Sequence, residues 1–366
     1  MKKLFLFVVM ALCVLGASAQ TQLDEDCADR NKVVNVRAQV RADFMQDYLD
    51  GGLNKSASGF KGRYINLMLD GHINKHFYYS FRQRLNRAPK NESYFDATDW
   101  VHLSYRPNQH WDISAGKQVV GIGGFEYDRA PIDLYFCSEY WNNIACYQWG
   151  VSAAYTLGDG SNGTDRLMLQ VCESPFNVGH QDFKFAYNLM WVGKHDWFNS
   201  IYSLNASEYT TGKYIYYVVL GNQFTFDNFR LQVDFMNRAT NEHAFFFKDF
   251  SVMGELSYMI KDKVNVFGKI SYDINDSGVE GDYCVMTGTE LTRVGAGIEY
   301  YPLPKGRKDL RLFGYYSYTW GVNGNTNGAL QDREHLWGIG LKWDVDILSL
   351  TSKIFKKNEG TKETDN

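Results

Sequence analysis

The sequence predicts an all-β fold: a transmembrane antiparallel β-barrel of about 16 strands, with a long third extracellular loop folding inward. Three observations predict it. Apolar and polar side chains alternate with a period of two along most of the chain. No 18-residue apolar run remains after the first 19 residues, so a helical membrane span is excluded. An export address stands at the N-terminus. Of the 366 residues only 6 are Pro, against 33 Gly, 25 Tyr, 24 Phe and 9 Trp, and an aromatic content of 16% excludes a disordered chain. The net charge of −4 comes from dispersed charges and speaks against a dedicated nucleic-acid binder.

The address begins with Lys2 and Lys3, continues through the apolar stretch Leu4 to Leu15, and ends at Ala17-Ser18-Ala19, where a signal peptidase would cut before Gln20. Cys13 raises a lipid anchor, but Leu12 stands where a small residue is wanted. The reading is a signal peptide over 1–19, a periplasmic segment over 20–32, the barrel over 33–348 and a polar tail over 349–366. Cys13 leaves with the signal, and the five remaining cysteines cannot all pair. Cys137 and Cys146 are close enough in one loop to form a disulfide in an oxidising compartment.

The strands follow in order. Val36, Ala38, Val40, Ala42 and Phe44 interleave with Arg37, Gln39, Arg41 and Asp43. Phe77, Tyr79 and Phe81 oppose Tyr78, Ser80, Arg82 and Arg84. Phe229, Leu231, Val233 and Phe235 oppose Arg230, Gln232, Asp234 and Met236, and Val264, Val266, Gly268, Ile270 and Tyr272 oppose Asn265, Phe267, Lys269, Ser271 and Asp273. Leu310, Leu312, Gly314, Tyr316 and Tyr318 oppose Arg311, Phe313, Tyr315, Ser317 and Thr319. Most such segments reach about ten residues, which suits a tilted membrane-spanning strand better than a soluble one. The strands are expected near 33–48, 58–71, 76–87, 97–106, 110–118, 146–157, 165–174, 182–193, 197–207, 212–225, 228–239, 248–260, 263–274, 291–302, 309–320 and 334–347. Short turns such as Phe226-Asp227-Asn228 and Lys261-Asp262-Lys263 alternate with longer connections around 88–96, 119–145, 240–247, 275–290 and 321–333, the asymmetry of an outer-membrane barrel. Trp111, Trp191, Tyr300, Trp320 and Trp343 near strand ends would form interfacial girdles.

A barrel of this size is too wide for side chains to fill, so its polar face lines water. Arg37, Arg41, Arg82, Arg84, Arg106, Lys117, Arg166, Lys184, Arg230, Arg238, Lys269, Arg293 and Arg311 fall on that face, against Asp43, Asp112, Asp234, Glu255, Asp273 and Glu299. Such a wall would favour anions. The third outward connection opens Val119-Val120-Gly121-Ile122-Gly123-Gly124-Phe125 and carries apolar and aromatic side chains that open water would not hold. It is expected to fold into the bore, with Lys117 and Arg129 at the constriction and Glu126, Asp128 and Asp133 opposing a simple anion funnel.

On these features the chain resembles the phosphate-selective porin O and P family. The resemblance rests on the strand count, the long third loop, the strand end Ser114-Ala115-Gly116-Lys117-Gln118 and the segment Val218-Val219-Leu220-Gly221-Asn222-Gln223. It implies a trimeric porin in the outer membrane of a Gram-negative bacterium, passing anions and, in specialised members, phosphate. Those members carry a lysine cluster that is absent here, since Lys117 stands nearly alone. No cofactor is expected, and His72, His76, His102 and His110 read as strand-end histidines and not as metal ligands. No G-x-S-x-G, H-E-x-x-H or P-loop occurs. The favoured reading is a passive diffusion porin in contact with outer-membrane lipid and small polar or anionic solutes. The alternatives are a barrel enzyme of lipase or protease type and an adhesive or structural barrel.

Overall fold

Sixteen long strands close on themselves. The computed structural model describes residues 32–87, 95–158, 163–177, 183–240, 246–304 and 307–351. The expected signal peptide, the residues up to 31 with Cys27, and the tail from 352 lie outside them. The strands are β1 (Lys32–Leu49), β2 (Gly59–His72), β3 (Phe77–Arg84), β4 (Thr98–Tyr105), β5 (Trp111–Val119) and β6 (Tyr147–Leu157). Then come β7 (Thr164–Glu173), β8 (Phe185–Lys194), β9 (Phe198–Thr210), β10 (Lys213–Phe226) and β11 (Phe229–Thr240). The last five are β12 (Asp249–Ile260), β13 (Val264–Asn275), β14 (Thr289–Tyr300), β15 (Leu310–Val322) and β16 (Glu334–Thr351). A two-residue strand, Gly52–Leu53, folds back onto the end of β1. Each long strand pairs antiparallel with its sequence neighbours, and β16 returns to β1 from Lys32↔Thr351 to Leu49↔Glu334. The closed sheet leaves no row of unpaired backbone groups, the condition for crossing a bilayer with strands.

Burial is inverted relative to a soluble protein. The buried side chains include Arg41, Asp43, Asn66, Arg82, Gln170, Asn188, Asn205, Asp234, Lys269 and Arg293. The exposed ones include Val151, Leu169, Leu256, Ile270, Ile298, Leu312 and Ile339. Leu169 beside Gln170 and Ile270 beside Lys269 show the alternation that puts polar groups inward and apolar groups toward lipid. A sandwich would place these apolar residues in its core. Trp111, Tyr300, Trp320 and Trp343 are exposed near the strand ends, and Trp191 there donates to the Asp165 carboxylate at 2.7 Å.

The turns obey hairpin stereochemistry. Asp227 (φ 49°) joins β10 to β11, and Lys261 (φ 51°) and Asp262 (φ 56°) join β12 to β13, in the left-handed conformation that tight hairpins need. The long connections 120–146, 276–288 and 323–333 gather at the opposite end. Two connections break this asymmetry: β9 and β10 are joined at the long-loop end by 211–212 alone, and 301–309 is a longer link at the short-turn end. A second core forms inside the barrel, where Val120, Ile122, Tyr127 and Tyr140 pack against Ile215, Tyr217, Val219 and Met236 of β10 and β11, with Cys284 and Val285 above.

Candidate functional site: the segment folded inside the barrel

The 120–146 segment contains two short helical turns, α1 (Phe125–Asp128) and α2 (Glu139–Asn143), with a 3-10 turn at Pro131–Asp133 between them. Its glycine-rich start lies on an uncharged part of the wall. Gly121 N–H donates to Gln170 Oε1 (2.7 Å), Asn205 donates to Gly121 O (2.7 Å), and Gly123 N–H donates to Ser203 Oγ (2.8 Å). These side chains take the place of water for a buried main chain. Its φ of 97° explains a glycine at 124, and close approach explains one at 221 of β10, where a Cβ would stand 2.8 Å from the Gly124 Cα.

Beyond Gly124 the wall becomes charged and holds the segment by its backbone and by ion pairs. Asp234 of β11 accepts the N–H groups of Phe125 (2.9 Å) and Glu126 (2.8 Å). Arg41 of β1 donates to the carbonyls of Ile132 and Leu134, Lys269 of β13 to that of Phe136, and Arg293 of β14 to that of Cys137. Asp273 of β13 accepts the Glu139 N–H at 2.9 Å. The Glu126 carboxylate meets Lys269 at 2.6 Å, and Arg129 grips Glu255 of β12 at 2.7 Å. Asp133 is held by Arg311 (2.5 Å) and Lys342 (2.8 Å). Burial alone would raise the Asp133 pKa, but Lys342 and Arg311 outweigh it and hold the carboxyl well below the usual range. Tyr135 lies between Phe267 and Tyr315, with ring centroids at 5.6 and 5.2 Å. Phe136 covers Gly295, where a Cβ would stand 2.4 Å from its ring.

Several residues expected to meet anions are therefore engaged elsewhere. Arg41, Lys269 and Arg293 hold the segment, Arg238 is fully buried between Asp249 (2.9 Å) and Asp282 (2.6 Å), and Arg82 is enclosed by Asp99, Trp100 and Tyr147. Lys117 is a correction of face. Its register pairs it with Val101 and Trp149, whose strands turn Leu103 and Val151 outward on the same side, and its ammonium donates to Phe95 O. The disulfide is also corrected: Cys137 and Cys146 are both free. Burial raises each thiol to about 12, far above the unperturbed value of about 8.5. A membrane-impermeant maleimide at pH 8 is thus expected to leave both unmodified in the folded barrel, and alkylation after denaturation should give the same mass with and without reductant. A mass lower by two alkyl adducts and two hydrogens without reductant would contradict the free thiols.

Other expected residues keep open heads. Arg37 meets Asp70 (3.1 Å), Arg84 meets Asp99 (2.8 Å), and Arg106 and Arg166 meet Asp112 (2.9 and 3.7 Å). The side chains of Arg37, Arg84 and Arg106 remain 20–23% exposed. Arg230 of β11 shares the inward face with Gln232 and Asp234 and makes no ion pair among the described residues. Arg82 and Arg84 share Asp99, as Arg106 and Arg166 share Asp112. Sequence reasoning missed Lys342, which alternation with Leu341 and Trp343 would have placed inward, and the uncharged supports Gln170, Ser203 and Asn205. His76 and His110 bond backbone carbonyls of Arg106 and Thr156 at strand ends.

Residues 34–196 match the family described as phosphate-selective porin O and P. No curated relative matches the sequence. Among solved structures, an anion-selective porin from Comamonas acidovorans aligns at 10% identity and a TM-score of 0.59, over 86% of this chain and 100% of that one. The outer membrane channel DcaP of Acinetobacter baumannii aligns at 12% identity and 0.59, over 90% and 100%. OmpT, an outer membrane protein of Vibrio cholerae in its trimer form, aligns at 13% and 0.55, over 86% and 99%. At these identities the likeness is one of fold. Residues 34–196 carry the match to phosphate-selective porin O and P, and the whole chain closes into the barrel of outer-membrane porins.

Proposed function

We propose that the protein is a passive diffusion porin for small hydrophilic solutes with a preference for anions, and that it works as a homotrimer after export by a cleavable signal peptide. The observation that carries the reading is the row of partly exposed arginines on one side of the bore. The inward segment takes its hydrogen bonds from β7, β9 and β11–β16 and from Arg41. The β1–β7 side instead carries Arg37, Arg84, Arg106 and Arg166 with partly exposed heads. A guanidinium head that stays partly in solvent presents its charge to a passing anion. With no lysine cluster to strip the water from phosphate, the selectivity proposed is for small anions in general. The trimer is supported by the family match and by the trimer form of the Vibrio cholerae protein. The test is the reversal potential of the purified protein in a planar bilayer across a KCl gradient. A conductance reversing on the chloride side supports the reading, and a cation-preferring conductance removes the anion preference. Folded protein that conducts nothing overturns the porin and favours an enzymatic or adhesive barrel.

A further inference from the structure

Two wall carboxylates face the inward segment and hold it by its main chain. Asp234 and Asp273 are buried, yet neither makes an ion pair among the described residues. Both accept main-chain N–H groups at the start of the helical turns in the inward segment: Asp234 from Phe125 and Glu126, Asp273 from Glu139. Helix starts leave amides without intrahelical partners, and a carboxylate there satisfies them with charge-assisted bonds. The two acids stand on β11 and β13, with β12 between them, so they fix both the position and the direction of the segment across the bore. We propose that Asp234 and Asp273 are positioning residues that set the aperture of the channel by gripping the main chain of this segment, whatever its side chains. The conductance part of the proposal rests on the porin reading; the placement of the segment does not.

The test uses Cys137, which lies within the held segment and is buried there. In the full-length protein in detergent, Asp234→Ala and Asp273→Ala should each raise the maleimide labelling rate of Cys137, located by peptide mass, about 10- to 100-fold. This is the range expected for losing a hydrogen bond to a charged group. Single-channel conductance should rise with it, while the folded barrel keeps its heat-modifiable gel mobility. Asp234→Asn, which retains one carbonyl acceptor, should fall between wild type and Ala. Folded Ala variants with wild-type labelling and conductance overturn the proposal. If the Ala variants do not fold, Phe125→Pro is read instead, because it removes one donor from the segment and leaves the wall intact. Proline is tolerated at the first helical position. Unchanged Cys137 labelling in that variant overturns the proposal. Raised labelling in a protein that never conducts sustains the positioning role and removes the porin reading alone.

Discussion

Lys269→Met is expected to destabilise the folded protein by about 3–5 kcal/mol, the cost of stranding a buried charge. The Lys269 and Glu126 side chains are 5% and 3% exposed and meet at 2.6 Å. Lys269 also donates to the Phe136 carbonyl at 3.2 Å. Without the ammonium, Glu126 keeps Ser138, whose N–H lies at 3.1 Å and whose hydroxyl also donates to it. Two neutral donors do not replace a cation in a site this dry. The double variant Glu126→Gln with Lys269→Met removes both charges and should recover much of the loss, which makes the pair a clean cycle. Denaturant unfolding of protein refolded in lipid would measure it. A Lys269→Met loss below about 1 kcal/mol would show that the pair is solvated and that the segment leaves the bore readily.

The second large effect concerns selectivity, and its sign can be set in either direction. Changing Arg37, Arg84, Arg106 and Arg166 together to Gln removes four cations from the open side and leaves Asp70 and Asp112 without these partners, while Asp99 keeps Arg82. The reversal potential in a KCl gradient should then cross from the anion to the cation side. Changing Asp99 and Asp112 to Asn frees the guanidiniums that share them and should move it further toward anions. A unit charge about 4 Å from a passing ion is worth about 1 kcal/mol in water, or about fivefold in permeability. The effect should shrink as salt rises and the screening length falls. If both variants shift the potential in the same direction, or neither shifts it, solutes do not pass along the β1–β7 side.

The strands were legible because a lipid-facing strand has one requirement that the sequence must repeat at every second residue. Leu310, Leu312, Tyr316 and Tyr318 against Arg311, Phe313, Tyr315 and Ser317 is such a run, and the structure turns the second set inward. The site was legible only in part. That Arg41, Lys269 and Arg293 lie on the inward face follows from period two. That they hold carbonyls of residues 132–137 depends on where a distant loop comes to rest. Lys117 shows the limit at a strand end: next to Gly116 (φ 131°) its register places it beside Trp149 instead of in the bore. Cys137 and Cys146 are nine positions apart, but α2 and its flanks carry the chain between them and leave both thiols free.

By itself the sequence determined the barrel, the strand count and the face each strand turns to lipid, because these follow from local alternation and from the absence of any sheet edge in a bilayer. Only the tertiary structure decided which inward charges remain open to solutes. An arginine carries the same charge whether it faces water, an aspartate or a peptide carbonyl, and that choice is made by residues far away in the chain. Arg238 between Asp249 and Asp282, and Arg37 with its head still partly in solvent, are the two outcomes of one residue type on one face.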